Sequence, residues 1–304
     1  MNGTQTPIRF GINLGFCTKR WVTPELWTGV VRERLGLDLV QFSFDLVDPM
    51  WPDAIVDRHA AEVRRAAEAA GITIHSAFIG LAHYSFNQLL HPDPAVRNYA
   101  EYWLGRAYRF AALAGIPRVG GPLGALAARL DGSEAEALDP ADYAELVTRM
   151  HRLGERAAAE GLSELYVEPT PLRREWPWTI AQARQMINDV ADSAVPWRLC
   201  IDWGHATFAP LYGDVTDGME SWQRDLADVT TAVHIQQTDF AFDRHWDFTV
   251  PGKVDPVEAA ALLRRTGTDT CPVFLEVFYP FEEDSRTILA ALETSCARLK
   301  HALA

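Results

Sequence analysis

Eight short apolar runs recur along the chain, and a longer segment of helical period separates each from the next. This rhythm constrains the fold more than any single residue does. The runs fall at about 9–16, 38–44, 72–78, 117–121, 164–169, 197–203, 231–237 and 272–278. Between two of them, Leu146, Val147, Met150, Leu153 and Ala157 recur at three- and four-residue spacing, the period of a helix with one buried face. Helix starts are legible: Thr23-Pro24, Asp93-Pro94, Asp139-Pro140 and Asp255-Pro256 each set a capping side chain before a proline at the first helical position. Asp255 with Glu258, and Thr179 with Gln182, have capping-box spacing. Gly36, Gly71, Gly115 and Gly161 stand where helices should stop.

Eight strands alternating with eight helices over 304 residues, about 38 per unit, predict one closed parallel (β/α)8 TIM barrel and a single domain over residues 1–304. A doubly wound open sheet is the alternative, but no G-x-G-x-x-G turn follows the first run. The glycine-rich stretch Gly120-Gly121-Pro122-Leu123-Gly124 reads equally well as a tight turn and as a phosphate cradle.

Composition narrows the class of function. Net charge is −13 and no Lys/Arg cluster stands out, which argues against a nucleic-acid partner. A small anionic substrate remains compatible, because one local basic pair can hold a phosphate. No apolar run reaches the roughly 18 residues needed to span a bilayer, so no membrane partner is expected. Met1 to Arg9 is short and polar, without a signal-peptide core. Cys17, Cys200, Cys271 and Cys296 lie far apart, and Cys200 and Cys271 sit in apolar runs. They read as buried thiols in a reducing compartment, so a cytoplasmic location is expected.

The chemistry gathers where runs end. Val233 to Phe248 reads V-H-I-Q-Q-T-D-F-A-F-D-R-H-W-D-F, and strand alternation points His234 and Gln236 the same way. Three other runs end in a potential ligand: Glu168, Asp202 and Glu276. In a barrel these ends converge on one mouth. One such carboxylate is usually a structural ion pair, but several brought together would repel each other. A divalent cation is the simplest remedy, and oxygen plus imidazole suits manganese, magnesium, cobalt or zinc. Asp202-Trp203-Gly204-His205 and Asp243-Arg244-His245 add further polar groups nearby. Of the loop cations, Lys19 and Arg20 after the first run are the best candidates to hold a substrate phosphate, and Arg244 is next. Trp21, Trp51, Trp176, Trp203 and Trp246 fall where they could wall a pocket, and His83, Tyr84, Phe86 and His91 where they could shape a lid.

The set E…DxxH…H…DRH…E, from Glu168 to Glu276, resembles the xylose-isomerase-like barrel superfamily of sugar isomerases, ketose 3-epimerases, hydroxypyruvate isomerases and multi-zinc apurinic endonucleases. That resemblance implies one divalent metal held by Glu168, Asp202, a strand-seven residue and Glu276, with His205 contacting substrate. Relatives use either the His or the Gln of the seventh strand, and both are present here. The phrases TKRW (18–21), QFSFDLVDP (41–49), IDWGHA (201–206), QQTD (236–239) and DRHWDF (243–248) are similar to those of tetrulose-phosphate (D-erythrulose 1-phosphate) 3-epimerases. The implied reaction is deprotonation and reprotonation of a small ketose or ketose phosphate through a metal-bound enediolate. Glu168 and Glu276 would be the base and acid, and His205, Arg244 and His245 would bind substrate. Multi-zinc relatives need extra histidines from strands three and four; His75 fits, but Arg118-Val119-Gly120-Gly121 offers no ligand, which weighs against a phosphodiesterase. An aldose–ketose or hydroxypyruvate-type isomerase could use the same residues, and so could a non-catalytic sugar-binding barrel. Subunit number stays open, a homo-oligomer included.

Overall fold

A strand that closes a barrel needs two usable faces, one toward the helices and one toward the interior, and each apolar run supplies both by alternation. The computed structural model describes residues 6–134, 138–212 and 218–304. Met1–Gln5, part of the polar opening stretch, lie outside the described residues. The strands are β1 (Phe10–Asn13), β2 (Leu39–Ser43), β3 (Thr73–Phe78), β4 (Arg118–Gly121), β5 (Glu164–Val167), β6 (Trp197–Asp202), β7 (Thr230–Ile235) and β8 (Val273–Leu275). They pair in parallel, in chain order, and β8 closes on β1, as the eight-fold rhythm predicts.

Alternation sorts the side chains into layers. Val40, Leu199, Ile201, Val233, Ile235 and Leu275 face outward into the main core beneath the helices. Each fully buried aliphatic side chain of this kind contributes roughly 1.5–3 kcal/mol. Leu39, Tyr166, Cys200, Ala232 and Phe274 belong to a separate apolar cluster inside the barrel. Two residues further along the chain from these stand Gln41, Glu168, Asp202, His234 and Glu276, all buried. A polar layer therefore caps an apolar one, and this puts the strand-end groups at one level of the mouth.

Six of the strands stop short of the predicted runs, while β3 and β4 end with theirs. The Asn13 side chain accepts from the Gly15 N–H at 2.7 Å and turns the chain into a 3-10 segment, Leu14–Cys17. Glu168 and Glu276 each lie one residue past a strand end. Aspartates 93, 139 and 255 cap their helices as expected, and Thr179 with Gln182 closes a full capping box. Thr23 starts a helix before its proline but makes no side-chain capping bond. The Gly120 stretch is a packing device: a Cβ on Gly120 would lie 2.0 Å from the Tyr166 carbonyl oxygen. All four cysteines are buried and free. No described helix is long and apolar enough to cross a membrane.

Candidate metal centre

Four side chains from β5 to β8 converge at the mouth: one ligand atom from each of Glu168, Asp202, His234 and Glu276 lies within 4.8 Å of the other three. His234 Nδ1 lies 2.7 Å from Glu168 Oε1, 2.9 Å from Glu276 Oε2 and 4.0 Å from Asp202 Oδ2. The far atoms of this group are tied back. Asp202 Oδ1 accepts from the His205 N–H and from Gln236 Nε2, both at 2.9 Å, and Glu276 Oε1 accepts from Asn13 Nδ2 at 3.1 Å. The near atoms are not: Glu168 Oε1, Asp202 Oδ2 and His234 Nδ1 are buried and make no hydrogen bond outside the cluster itself. Buried polar atoms left so are costly, and three aimed at one point fit a divalent cation of the oxygen-and-imidazole class. Burial raises the pKa of Glu168 and of Asp202. Burial acts upward on Glu276 too, but the imidazoles beside it, His234 foremost, bring it below its ordinary value.

Gln236 takes a different place from His234. Its Nε2 donates to Asp202 Oδ1 and, at 2.7 Å, to Asp243 Oδ1, and its Oε1 accepts from the His245 N–H. The structure thus groups His234 with the carboxylates and makes Gln236 the strut behind them. Gly204 leaves the room: a Cβ there would stand 2.4 Å from Gln236 Nε2.

Beside the cluster, Asp243 Oδ2 accepts from His205 Nε2 at 3.1 Å and from His245 Nε2 at 2.9 Å. His205 Nδ1 also faces an acceptor, the Pro169 carbonyl at 3.0 Å, so the ring carries both protons. Burial disfavours that charge, but the Asp202 and Asp243 carboxylates push the His205 pKa well above its usual value. The same balance, with Asp243 as partner, brings His245 up to about 9. His245 holds a left-handed backbone, φ 48°.

A pocket of about 110 Å³ opens over these groups. Phe78, Leu81, Pro122 and Phe278 form its apolar wall, while Glu168, Glu276, His205, Asp243 and His245 form its polar floor. Tyr84 and Thr170 complete it, the Tyr84 hydroxyl 3.0 and 2.9 Å from the two oxygens of buried Glu175. The loop after β3 thus walls the pocket through Leu81 and Tyr84, whereas His83 is buried in a stack on Trp103. None of the five candidate tryptophans is among the residues that line it.

The three loop cations lie outside this lining. Arg20 Nη2 donates to the Pro280 carbonyl at 2.6 Å, Arg244 pairs with Asp239 at 2.8 Å, and exposed Lys19 rests its ammonium 4.0 Å over the Phe281 ring. His75 packs against Phe274, away from the cluster. Sequence reasoning singled out neither Glu175 nor the roles of Asn13, Gln41 and Asp243. Their only signal is a polar residue at a strand end or in the loop after it.

Residues 32–295 match the xylose isomerase-like TIM barrel family. A D-erythrulose 1-phosphate 3-epimerase of Brucella abortus (strain 2308) is 24% identical over 307 residues, which cover 95% of this chain and 94% of that one. A crystal structure from Rhodospirillum rubrum ATCC 11170, named provisionally as a xylose isomerase, superposes with a TM-score of 0.91 at 39% identity, over 97% of this chain and 99% of its own. A D-psicose 3-epimerase of Clostridium cellulolyticum H10, crystallised with D-tagatose, shares the fold with a TM-score of 0.72 at 14% identity, over 97% and 99% of the two chains.

Proposed function

The chain belongs to the xylose isomerase-like TIM barrel family, and from that premise we propose that it is a single-domain, divalent-metal-dependent isomerase that epimerises a small ketose at C3, with a tetrulose phosphate as the preferred substrate. The observation that carries this reading is the convergence of three buried atoms, on Glu168, Asp202 and His234, that make no hydrogen bond outside their own cluster, beside Glu276. The name of the 24%-identical relative from Brucella abortus supports the substrate class.

Glu168, Asp202, His234 and Glu276 would hold the ion. When bound, it supplies Lewis acidity that polarises the ketose carbonyl and acidifies the neighbouring C–H, worth several kcal/mol. Epimerisation then needs two proton-transfer groups on opposite faces of one carbon. Glu168 leaves β5 and Glu276 leaves β8, so the two carboxylates approach a substrate from different sides of the mouth. One takes the C3 proton; the C–H electron pair becomes the C2–C3 double bond and the carbonyl oxygen takes the negative charge, giving an enediolate. The other returns a proton to the opposite face, and the carbonyl re-forms. Each positioned group of this kind contributes typically about 10²–10⁴ in rate. His205 and His245, held by Asp243, present positive charge to the oxygens that become negative. The apolar wall keeps bulk water from the reacting carbon.

Two measurements test the proposal. Stripping divalent ions should abolish turnover, and adding one back should restore it. Turnover in deuterated water should place deuterium at C3. Label at C1 or C2 alone would assign an aldose–ketose isomerase instead.

A further inference from the structure

A histidine can offer only one nitrogen to a cation, and the partner of the other nitrogen decides which. His234 is fully buried, with Nε2 2.7 Å from Gln41 Oε1. Either end of an amide can face an imidazole nitrogen, so the outcome depends on which way the Gln41 amide points. A backbone group fixes it. The Gly15 N–H can only donate, and it meets the Asn13 side chain at 2.7 Å, so that atom is the oxygen. Asn13 Nδ2 is then on the other side, donating to Gln41 at 2.6 Å and to Glu276 Oε1 at 3.1 Å. The Gln41 atom that receives it must be Oε1, and this same oxygen faces His234. Gln41 Nε2 is left to Ser76 Oγ and the Tyr166 hydroxyl, both at 3.2 Å and both able to accept. His234 Nε2 is therefore the nitrogen that carries a proton, and Nδ1 is the one turned to the carboxylates.

From this chain we infer that Asn13 and Gln41 are positioning residues: they hold His234 with Nε2 protonated, so that Nδ1 is its cation-binding atom. Asn13 acts twice, because it also anchors the Glu276 oxygen that points away from the cluster. The inference rests on the reading of this cluster as a metal centre. Its first consequence, however, is a property of the polypeptide alone, a His234 Nε2–H shielded from solvent whether or not an ion is bound.

The experiment uses the full chain and Zn²⁺ as the probe. Proton–nitrogen spectra of the wild type, with and without Zn²⁺, should show a slowly exchanging His234 Nε2–H. Gln41→Leu removes the acceptor, so that resonance should be lost and the Zn²⁺ Kd should rise about 10–100-fold, the usual effect of removing a partner that orients a ligand. Gln41→Glu keeps an acceptor for both donors and should restore the protected proton and most of the affinity. Asn13→Ala frees the amide to turn and should weaken Zn²⁺ binding as well. A merely structural role would lower thermal stability in Gln41→Leu yet leave the Nε2–H and the Kd unchanged, and that result overturns the inference. If Gln41→Leu fails to fold, Asn13→Ala and Gln41→Glu decide: wild-type Kd and exchange in Asn13→Ala, or no protected proton in Gln41→Glu, overturn it. A protected Nε2–H in a wild type that binds no Zn²⁺ would uphold the tautomer while refuting the metal centre.

Discussion

His234 and Gln236 stand two residues apart at the end of β7, and their neighbours give them different parts. The imidazole nitrogen has Glu168 and Glu276 within 2.9 Å, whereas the amide is committed to Asp202, Asp243 and the His245 backbone. His234→Ala should therefore abolish tight divalent-ion binding. Gln236→Ala should keep the ion, weaken its affinity about tenfold by freeing Asp202 and Asp243, and lower turnover. Calorimetric titration of both variants checks this, and equal loss of affinity would contradict it. Alternation alone put both residues on the inward face. It could not choose between them, because the choice depends on Gly204, in the short helix that follows β6, leaving room for the Gln236 side chain. The role of Asp243 was hidden for a related reason: His205, 38 residues away in sequence, meets it only once β6 and β7 lie side by side.

Elements whose boundaries rest on local chemistry were legible, and those that hang on tertiary contacts were not. Asp93, Asp139 and Asp255 announce their helices because cap and first turn are neighbours in sequence. The short helix Gly80–Tyr84 has no such signal. It hangs from Asp45, whose carboxylate accepts from the Leu81 and Ala82 N–H groups at 3.1 and 2.9 Å. A Cβ on Gly80 would lie 2.8 Å from that carboxylate. The helix is also fixed from behind by His83, stacked on Trp103 with centroids 3.7 Å apart. Burial holds the His83 pKa down to about 4. The unfolded chain, with an ordinary histidine, takes up a proton as pH falls through about 6.5, while the folded chain resists until about 4. Stability is thus lost progressively across that window, by about 3 kcal/mol when complete, at 1.36 kcal/mol per pKa unit. His83→Phe keeps a stacked ring without the titration. Its melting temperature should fall less than that of the wild type between pH 7 and pH 4, and parallel curves would contradict the assignment.

On the scale of the whole molecule, the closed ring of strands gives the mouth two opposed sides. The β3–β5 side carries Tyr84 and the buried Glu175 carboxylate; the β8–β1 side carries Phe278, Phe281, Arg20 and Lys19. A net charge of −13 gives an anionic substrate no general attraction, so a phosphate needs a local cation. Arg20 straps the loops after β1 and β8 together through the Pro280 carbonyl, and Arg244 is paired with Asp239. Lys19, exposed and resting on a ring, is the cation with least to give up on turning toward a ligand. The sequence could nominate all three, but only the folded ring shows what each is already holding. A hydrogen bond to a charged group is worth about 1.5–3 kcal/mol. Lys19→Ala should therefore raise KM for a tetrulose phosphate by about 10–100-fold, at about 1.4 kcal/mol per tenfold, and leave KM for the free sugar nearly unchanged. Arg20→Ala should loosen the mouth and impair both substrates alike. Steady-state kinetics on the matched pair of substrates separates the two effects. Equal losses in Lys19→Ala would move the phosphate to another part of the mouth, with the carboxylate–imidazole cluster between β5 and β8 left as it stands.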